Sequence, residues 1–264
     1  MAADDPIDTA ILLAAGEGQR LRSVAPIKPL CVVGGQPLLD HAITGLAEAG
    51  LKRAIIVLGY EAEPIVAHLA ARSWPLEIET VSVVDYRRPN GVSVLAARHR
   101  LQGANALLAM GDHLVEPDLY RLMAAREAVT GIQLAVDRRL DNPFVDLVDV
   151  TRVKTQAGRI VAIGKLLPEF DCFDTGVFAI GELFFQALDR LASPSVTEGV
   201  QALIPLELAS TIECERRDWI DVDDDAALQK AERWLARPSA LGMPDRSHLP
   251  APSTPIEHFS RRWN

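Results

Sequence analysis

Apolar runs and segments of helical spacing alternate along the first half of the chain. Residues 9–14 form a short, mostly apolar run that ends close to Gly16, which is typical of a buried strand. In residues 37–49 the apolar positions recur three and four apart and Gly50 follows, which predicts a helix. Further strands are predicted at 53–58, 76–84 and 104–110, and further helices at 62–72, 92–101 and 117–128. This alternation predicts a mostly parallel sheet with helices on both faces.

The pattern changes in the second half of the chain. Strands are predicted at 131–136, 145–154, 159–163 and 173–180, and helices at 182–191, 197–203 and 225–235. Successive strands joined by short turns predict a mixed, mainly parallel sheet that carries a small β-arm or subdomain. Periodicity then ends in a segment with five prolines. We therefore predict one α/β domain over residues 1–236 and a proline-rich tail or linker over 237–264.

Composition narrows the classes of partner. The 264 residues fit one large domain, and the formal net charge of −9 argues against nucleic acid or an anionic membrane as the main partner. A site for phosphates would therefore need a few well-placed cations. The N-terminal residues do not resemble a signal peptide, and no apolar run is long enough to span a bilayer. The three cysteines are far apart and show no metal-ligand spacing, so we expect a cytoplasmic protein.

The loop after the first predicted strand suits a phosphate group. It reads Leu13-Ala14-Ala15-Gly16-Glu17-Gly18, and Arg20 and Lys28 follow it. Glycines let backbone N–H groups approach a phosphate. An arginine can donate two hydrogen bonds to the phosphate oxygens, and a lysine adds a point charge. The loop is neither a Walker A motif nor a complete dinucleotide fingerprint. On residue types alone, an ordinary strand-to-helix turn explains it equally well.

Acidic residues occur at two further places, one after a predicted strand and one in a segment that would have to be extended. Asp112 comes after an apolar strand and a glycine, where ligands bind in open α/β sheets. Asp221 and Asp223 are two apart and would face one side of an extended segment. Carboxylates suit a hard cation such as Mg²⁺, and without one they should repel each other. Two alternatives stay open: Asp112 as a turn residue, and Asp223 as the N-cap of the last helix, a role for which its two acidic successors compete.

Longer motifs resemble a known family. The first loop with Arg20, the Lys28-Pro29-Leu30 run and residues 34–39 resemble the signature of sugar-phosphate nucleotidyltransferases. Ile27 departs from that pattern, because the family has proline directly before the lysine. Further motifs at 90–93, 110–113, 164–165, 170–178 and 219–223 are similar to those of CTP:inositol-1-phosphate cytidylyltransferases. The similarity extends from about residue 11 to residue 235.

The resemblance implies a three-layer α/β/α nucleotidyltransferase fold of Rossmann-like type and a role for each motif. Catalytic roles would fall to Arg20 and Lys28. The residues that would bind the nucleotide are Leu13, Ala14, Ala15, Gly16, Glu17, Gly18, Asn90, Gly91 and Ser93. Those that would bind the acceptor phosphate are Lys165, Asp174, Thr175 and Gly176. The Mg²⁺ ligands would be Asp112, Asp221 and Asp223. We interpret His113, which is next to Asp112, as structural.

The implied reaction transfers a nucleoside monophosphate, CMP from CTP, to a phosphorylated alcohol, inositol 1-phosphate, and releases pyrophosphate. The acceptor could instead be a hexose 1-phosphate, phosphocholine or molybdopterin. A catalytically silent nucleotide-binding regulator is a further alternative. A nucleotide-sugar glycosyltransferase is disfavoured because no Asp-x-Asp stands at Asp112. The sequence does not fix the base specificity.

The end of the chain suggests a partner. In bifunctional relatives of the family that the chain resembles, a membrane-embedded CDP-alcohol phosphotransferase follows the cytidylyltransferase. Residues 259–264 resemble the start of that junction. The chain would then be a piece of a longer, membrane-associated enzyme, with small-molecule substrates and no nucleic-acid partner. The oligomeric state stays open, and a homodimer is one option.

Overall fold

The computed structural model describes residues 6–101, 105–126 and 129–237. It contains the following strands: β1 (Thr9–Ala14), β2 (Val32–Val33), β3 (Gln36–Pro37), β4 (Arg53–Leu58), β5 (Glu77–Ser82), β6 (Ala106–Met110), β7 (His113–Val115), β8 (Ile132–Asp137), β9 (Arg152–Gln156), β10 (Arg159–Gly164), β11 (Cys172–Ile180), β12 (Ala209–Glu213) and β13 (Trp219–Asp221). The helices are α1 (Leu38–Glu48), α2 (Ala62–Ala70), α3 (Gly91–Ala97), α4 (Pro117–Ala124), α5 (Glu182–Asp189), α6 (Val196–Leu203) and α7 (Asp225–Leu235).

A sheet of nine strands organises the fold, in the order β5-β4-β1-β6-β11-β8-β12-β10-β9. Strands β5, β4, β1 and β6 are parallel, because a helix carries the chain back between successive strands. Strand β11 runs antiparallel to both β6 and β8. Strand β9 pairs with β10 in a hairpin that belongs to the main sheet, and it also pairs with β11, so strands β11, β8, β12, β10 and β9 close into a ring. We call the β9–β10 hairpin the β-arm. The prediction of a mixed sheet with helices is confirmed. The sheet is not mainly parallel, because four of the described pairings in it are parallel and five are antiparallel.

The helices pack against apolar side chains on both faces of the sheet. Ile11 of β1 belongs to the core beneath α3, α5 and α6, whereas its neighbour Leu12 belongs to the core beneath α1, α2 and α4. Alternate residues of a strand point to opposite faces, so β1 is buried on both sides. The loop at its carboxyl end is therefore attached to a rigid element.

Most predicted elements match the structure, and one does not. The strand predicted at 145–154 is wrong in its first part, because β9 begins only at Arg152. The side chain of Asn142 accepts a hydrogen bond from the amide of Phe144, and that of Asp146 accepts one from the amide of Val148. Both are turns of the Asx type, which compete with strand pairing. Residues 138–151 therefore form a loop, which we call the β8–β9 loop.

Several short strands were not predicted: β2, β3, β7, β12 and β13. They have two to five residues each, too few for a clear alternation. Within the described ranges, none of the helices has the length and hydropathy needed to cross a membrane. The predicted tail lies outside the described residues, except for Arg237.

Candidate active site

Two clefts meet at the carboxyl ends of the central strands. The first is lined by the end of β1 and the loop after it, namely Leu13, Ala14, Gly16, Gly18, Gln19 and Arg20, with Lys28, Pro29 and Gly111. The second lies towards the β-arm and is lined by Asn90, His113, Asp149, Lys165, Asp174, Gly176 and Asp221, among others. Asp112 and Asp223 line both clefts. The structure thus brings most of the predicted site residues to one edge of the sheet.

Gly18 sets the shape of the loop after β1. Its φ is +58°, and a Cβ atom there would lie 2.5 Å from Cβ of Lys28. Only glycine accommodates both conditions without strain. The Glu17 carboxylate is occupied by Gln19 Nε2 at 2.7 Å and by Arg87 Nε at 2.9 Å. Gly18 thus lets the loop pack directly against Lys28, and the hydrogen bonds of Glu17 hold the loop to Gln19 and Arg87.

Lys28 lies buried among three carboxylates. Its Nζ donates to Oδ2 of Asp112 at 2.8 Å, lies 3.9 Å from Oδ1 of Asp221 and forms a close ion pair with Asp223. Burial alone would lower the pKa of Lys28, but the three carboxylates outweigh it and raise this pKa. Lys28 therefore carries a fixed positive charge at the junction of the two clefts.

The same lysine corrects the expectation that the carboxylates simply repel one another. Burial would raise the pKa of Asp112, but Lys28 and then His113 lower it to about 2. The pKa of Asp223 is raised, first by burial and then by Asp221. The mutual repulsion that we expected is thus confined to part of the cluster, because Lys28 neutralises Asp112.

The structure resolves the two alternatives for Asp223. Asp224 is the N-cap of α7, since its Oδ1 accepts from the amide of Ala227 at 2.8 Å. The Asp223 carboxylate instead pairs with Arg20 and Lys28. Asp223 therefore belongs to the charged cluster and not to the helix cap.

His113 is a site residue that the sequence interpretation left out. Its Nδ1 lies 3.0 Å from the Thr175 carbonyl, and its Nε2 lies 3.7 Å from Oδ1 of Asp112 and 3.5 Å from Oδ2 of Asp221. The ring stacks on Trp219 with centroids 5.9 Å apart. Burial would lower the pKa of His113, but Asp221 and Asp112 raise it to about 9. The only sequence signal was its position next to Asp112.

The residues predicted to bind the acceptor have different environments. Lys165 is exposed, and Asp174 lines the second cleft with a pKa that burial raises to about 6. Gly176 has a φ of +76°, and a Cβ atom there would lie 2.5 Å from the His113 ring. The Thr175 side chain instead lies inside the sheet, where its hydroxyl donates to the Ala135 carbonyl at 2.8 Å.

The motif at 90–93 joins α3 to the second cleft. Asn90 lines this cleft, and its Oδ1 accepts from the amide of Val196 at 2.9 Å. Gly91 packs against the chain before α6, because a Cβ atom there would lie 2.6 Å from the Pro194 carbonyl oxygen. Ser93 is buried. Asn90 is thus the member of the motif that lines the cleft, whereas Gly91 and Ser93 are buried.

Asp149 is a second site residue that sequence reasoning missed. It lies in the β8–β9 loop, and its Oδ2 accepts from Arg20 at 2.5 Å while its Oδ1 pairs closely with Lys165. It fell within a strand prediction that proved wrong, so nothing in the sequence pattern indicated its position.

The fold and this edge of the sheet define a nucleotidyltransferase, and comparison with known proteins gives the family. Residues 10–171 match the model of the MobA-like NTP transferase domain. The chain therefore belongs to the MobA-like NTP transferase family.

The chain is similar to several curated proteins. It is 34% identical over 241 residues to the bifunctional IPC transferase and DIPP synthase of Rubrobacter xylanophilus, which covers 88% of this chain and 53% of the relative. It is 30% identical over 242 residues to the protein of the same name from Aquifex aeolicus, with 90% and 54% covered. The chain thus spans about half the length of these relatives.

Solved structures share the fold. The inositol-1-phosphate CTP transferase from T. maritima superposes with a TM-score of 0.77 at 22% identity, covering 87% of this chain and 98% of that one. A putative glucose-1-phosphate thymidylyltransferase from Bacillus anthracis superposes with a TM-score of 0.72 at 17% identity, covering 89% and 98%. The nucleotidyltransferase fold that the sequence predicted is confirmed.

Proposed function

We propose that the chain transfers CMP from CTP to inositol 1-phosphate, with Mg²⁺ as cofactor and pyrophosphate as the second product. The observation that carries the proposal is the buried Lys28 among Asp112, Asp221 and Asp223, where the two clefts meet. One cleft then takes the nucleotide and the other takes the acceptor. The names of the relatives from Rubrobacter xylanophilus and Aquifex aeolicus support the choice of substrates.

The chain's own residues suit an in-line displacement. A phosphate oxygen of the acceptor attacks the α-phosphorus of CTP, and pyrophosphate leaves from the opposite side. Arg20 and the backbone of the loop after β1 would hold the triphosphate, and Lys28 would neutralise charge that develops on it. A phosphate monoester is mostly ionised at neutral pH, so the attack needs no general base.

The carboxylates fit a divalent cation. Oδ1 of Asp221 is buried and has no hydrogen-bond partner among the residues that the structure describes. Ligand atoms of Asp112, His113 and Asp221, one from each residue, lie within 4.8 Å of one another. Oxygen ligands of this kind suit Mg²⁺, so we assign Asp112 and Asp221 as ligands, with Asp223 as a third. The cation would supply charge neutralisation at the α-phosphate and the leaving pyrophosphate.

A pyrophosphate-release assay tests this function. The wild-type protein is mixed with each of four NTPs and with inositol 1-phosphate, a hexose 1-phosphate, phosphocholine or molybdopterin, with and without Mg²⁺. We expect release with CTP and inositol 1-phosphate only when Mg²⁺ is present. Faster turnover of another pair would contradict the substrate assignment. Absence of turnover with every pair would favour the silent regulator.

We also propose that a membrane phosphotransferase consumes the CDP-alcohol product. The relatives carry two activities under one name, and this chain matches about half of each. In the native gene we expect codons for apolar membrane spans to follow those for residue 264. A stop codon at that point would contradict a fused enzyme.

A further inference from the structure

Asp149 connects the two clefts through a single carboxylate. Its Oδ2 accepts from Nη2 of Arg20 at 2.5 Å, and its Oδ1 pairs closely with Nζ of Lys165. Arg20 also pairs with Asp223, which in turn pairs with Lys28. Charges of alternating sign therefore run without a break from the acceptor side to the nucleotide side.

The backbone around Asp149 is fixed on both sides. The amide of Val150 donates to the Asp146 carbonyl at 2.9 Å, and the amide of Asp174 donates to the Thr151 carbonyl at 3.0 Å. Arg152 of β9 donates to the Leu147 carbonyl at 3.2 Å. The β8–β9 loop thus presents the carboxylate at a defined point above the cleft.

The two cations need such a partner. The side chains of Arg20 and Lys165 are 52% and 58% exposed, whereas that of Asp149 is only 25% exposed. Long exposed side chains sample many rotamers, and each must be ordered before it can hold a phosphate. A carboxylate on a fixed loop orders both of them before substrate binds. Lys165 and then Arg20 also lower the pKa of Asp149 to about 2, so it stays ionised.

We propose that Asp149 is a positioning residue that holds Arg20 on the nucleotide side and Lys165 on the acceptor side, and so keeps the two substrates in register for in-line attack. The inference rests on the proposed function, because it takes Arg20 and Lys165 as phosphate-binding groups. Arg20 has further N–H groups, and Lys165 has two further ammonium protons, with which to bind phosphate oxygens. The orientation of reacting groups is worth a large factor in rate, so a shared anchor between the subsites is valuable.

The first test is Asp149→Asn, which keeps the shape and removes the charge. We expect the KM for the NTP and the KM for the acceptor each to rise about fivefold to tenfold, the scale of one ordinary hydrogen bond, because both cations are largely exposed to solvent. The matched control is Asp141→Asn, an exposed residue of the same loop with no ion pair in the described structure. It should leave both KM values unchanged.

A double-mutant cycle separates positioning from a general structural role. In a Lys165→Met background, Asp149→Asn should no longer change the KM for the acceptor, but it should still raise the KM for the NTP. In an Arg20→Met background the pattern should reverse. Additive effects in both backgrounds, together with a lower melting temperature, would overturn the proposal. A fall in either KM in Asp149→Asn would also overturn it, because Asp149 would then only compete with phosphate.

The design keeps this inference separate from the proposed function. If the release assay finds a different NTP and acceptor, the cycle is run on that pair, and the substrate assignment alone fails. If no pair is turned over, the proposed function fails. Calorimetric titration of the wild type and of Asp149→Asn with CTP and Mg²⁺ then tests whether Asp149 assists nucleotide binding. Weaker binding by Asp149→Asn than by the wild type would support the proposal. Equal binding, or no binding by either protein, would overturn it.

Discussion

The indole Nε1 of Trp219 donates a hydrogen bond of 3.1 Å to Oδ2 of Asp137, a fully buried carboxylate. The same carboxylate also accepts from the backbone and guanidinium of Arg139 and from the amide of Asn142. Asp137 ends β8, and Trp219 begins β13, which carries Asp221. This cluster therefore fixes β13, which carries the proposed metal ligand Asp221, relative to the start of the β8–β9 loop.

We expect Asp137→Asn to lower the free energy of unfolding by about 3 kcal/mol at pH 7, because the Arg139 charge loses its buried partner. Burial would raise the pKa of Asp137, but its hydrogen bonds from Arg139 and Asn142 lower it in the folded protein. The carboxylate's contribution is therefore full above the unfolded pKa of about 3.9 and is lost as the pH falls through the lower folded pKa. Urea denaturation from pH 7 to pH 3 should show the gap between wild type and variant closing at the acid end.

Trp219→Phe is the control variant for the hydrogen bond between Trp219 and Asp137. It removes the Nε1–H donor but keeps an aromatic ring beside His113. We expect a loss of about 1 kcal/mol, with the acid dependence of the wild type retained, since Asp137 keeps its charge and its other donors. A pH dependence that disappears in Trp219→Phe would show that the indole, and not Arg139, sets the pKa of Asp137.

Gly18→Ala tests the close contact between the loop and Lys28. The left-handed backbone and the Cβ contact with Lys28 should together cost about 1–3 kcal/mol of stability. We also expect a higher KM for the NTP, because Lys28 is displaced. Thermal denaturation and steady-state kinetics measure the two effects. In Gly16→Ala the added Cβ meets no described atom within 4 Å, so its melting temperature should match that of the wild type.

The sequence pattern showed which strands are buried and which polar residues follow a strand. Most of the predicted fold and part of the predicted site depend on these two signals. Strand β1 is apolar along most of its length because it lies between two cores, so its bounds were predicted to the residue. Asp112 was placed at the carboxyl end of a strand by the apolar run before it, and Asp221 was expected to join it because the resemblance implies that both bind one Mg²⁺. The structure places both of them against Lys28 there.

The sequence pattern did not reveal ion pairs between side chains that are far apart along the chain. Asp149 lies 129 positions from Arg20 along the chain, and two Asx turns interrupt the pattern around it. The three-residue strands β7 and β13 were too short to show a period, so the stacking of His113 on Trp219 could not be predicted. Such contacts depend on the packed fold, and local spacing does not encode them.

Thr175→Val separates a packing role from an acceptor-binding role. The Thr175 hydroxyl donates to the Ala135 carbonyl inside the sheet, so we expect a loss of about 1 kcal/mol in stability and an unchanged KM for the acceptor. Lys165→Met, at an exposed position of the second cleft, should show the opposite pattern. A higher KM for the acceptor in Thr175→Val, at unchanged stability, would restore the role that the resemblance implied.

The last prediction compares Asp112→Asn with Asp221→Asn. Asp112 accepts a bond of 2.8 Å from the buried Lys28, so its replacement should destabilise the metal-free protein by about 1–3 kcal/mol. Asp221 repels Asp223 but attracts His113 and Lys28, which lies 3.9 Å away, so these effects partly cancel. We therefore expect Asp221→Asn to lose less stability than Asp112→Asn. Both changes should lower turnover by about 10²–10³, the cost of losing one preorganised stabiliser of transition-state charge.

Melting temperatures without metal, and turnover across a Mg²⁺ titration, measure these two quantities independently. The metal assignment requires that both variants lose turnover, whatever the difference between their stabilities. If Asp221→Asn kept normal turnover at low Mg²⁺, Asp221 would not be a ligand, and its buried Oδ1 would need another explanation. If Asp112→Asn did not fold, the main role of Asp112 would be structural, as the ion-pair partner of the buried Lys28. In that case Asp112→Glu, which keeps the charge, should restore folding, and its turnover across the same titration would decide whether the carboxylate also binds Mg²⁺.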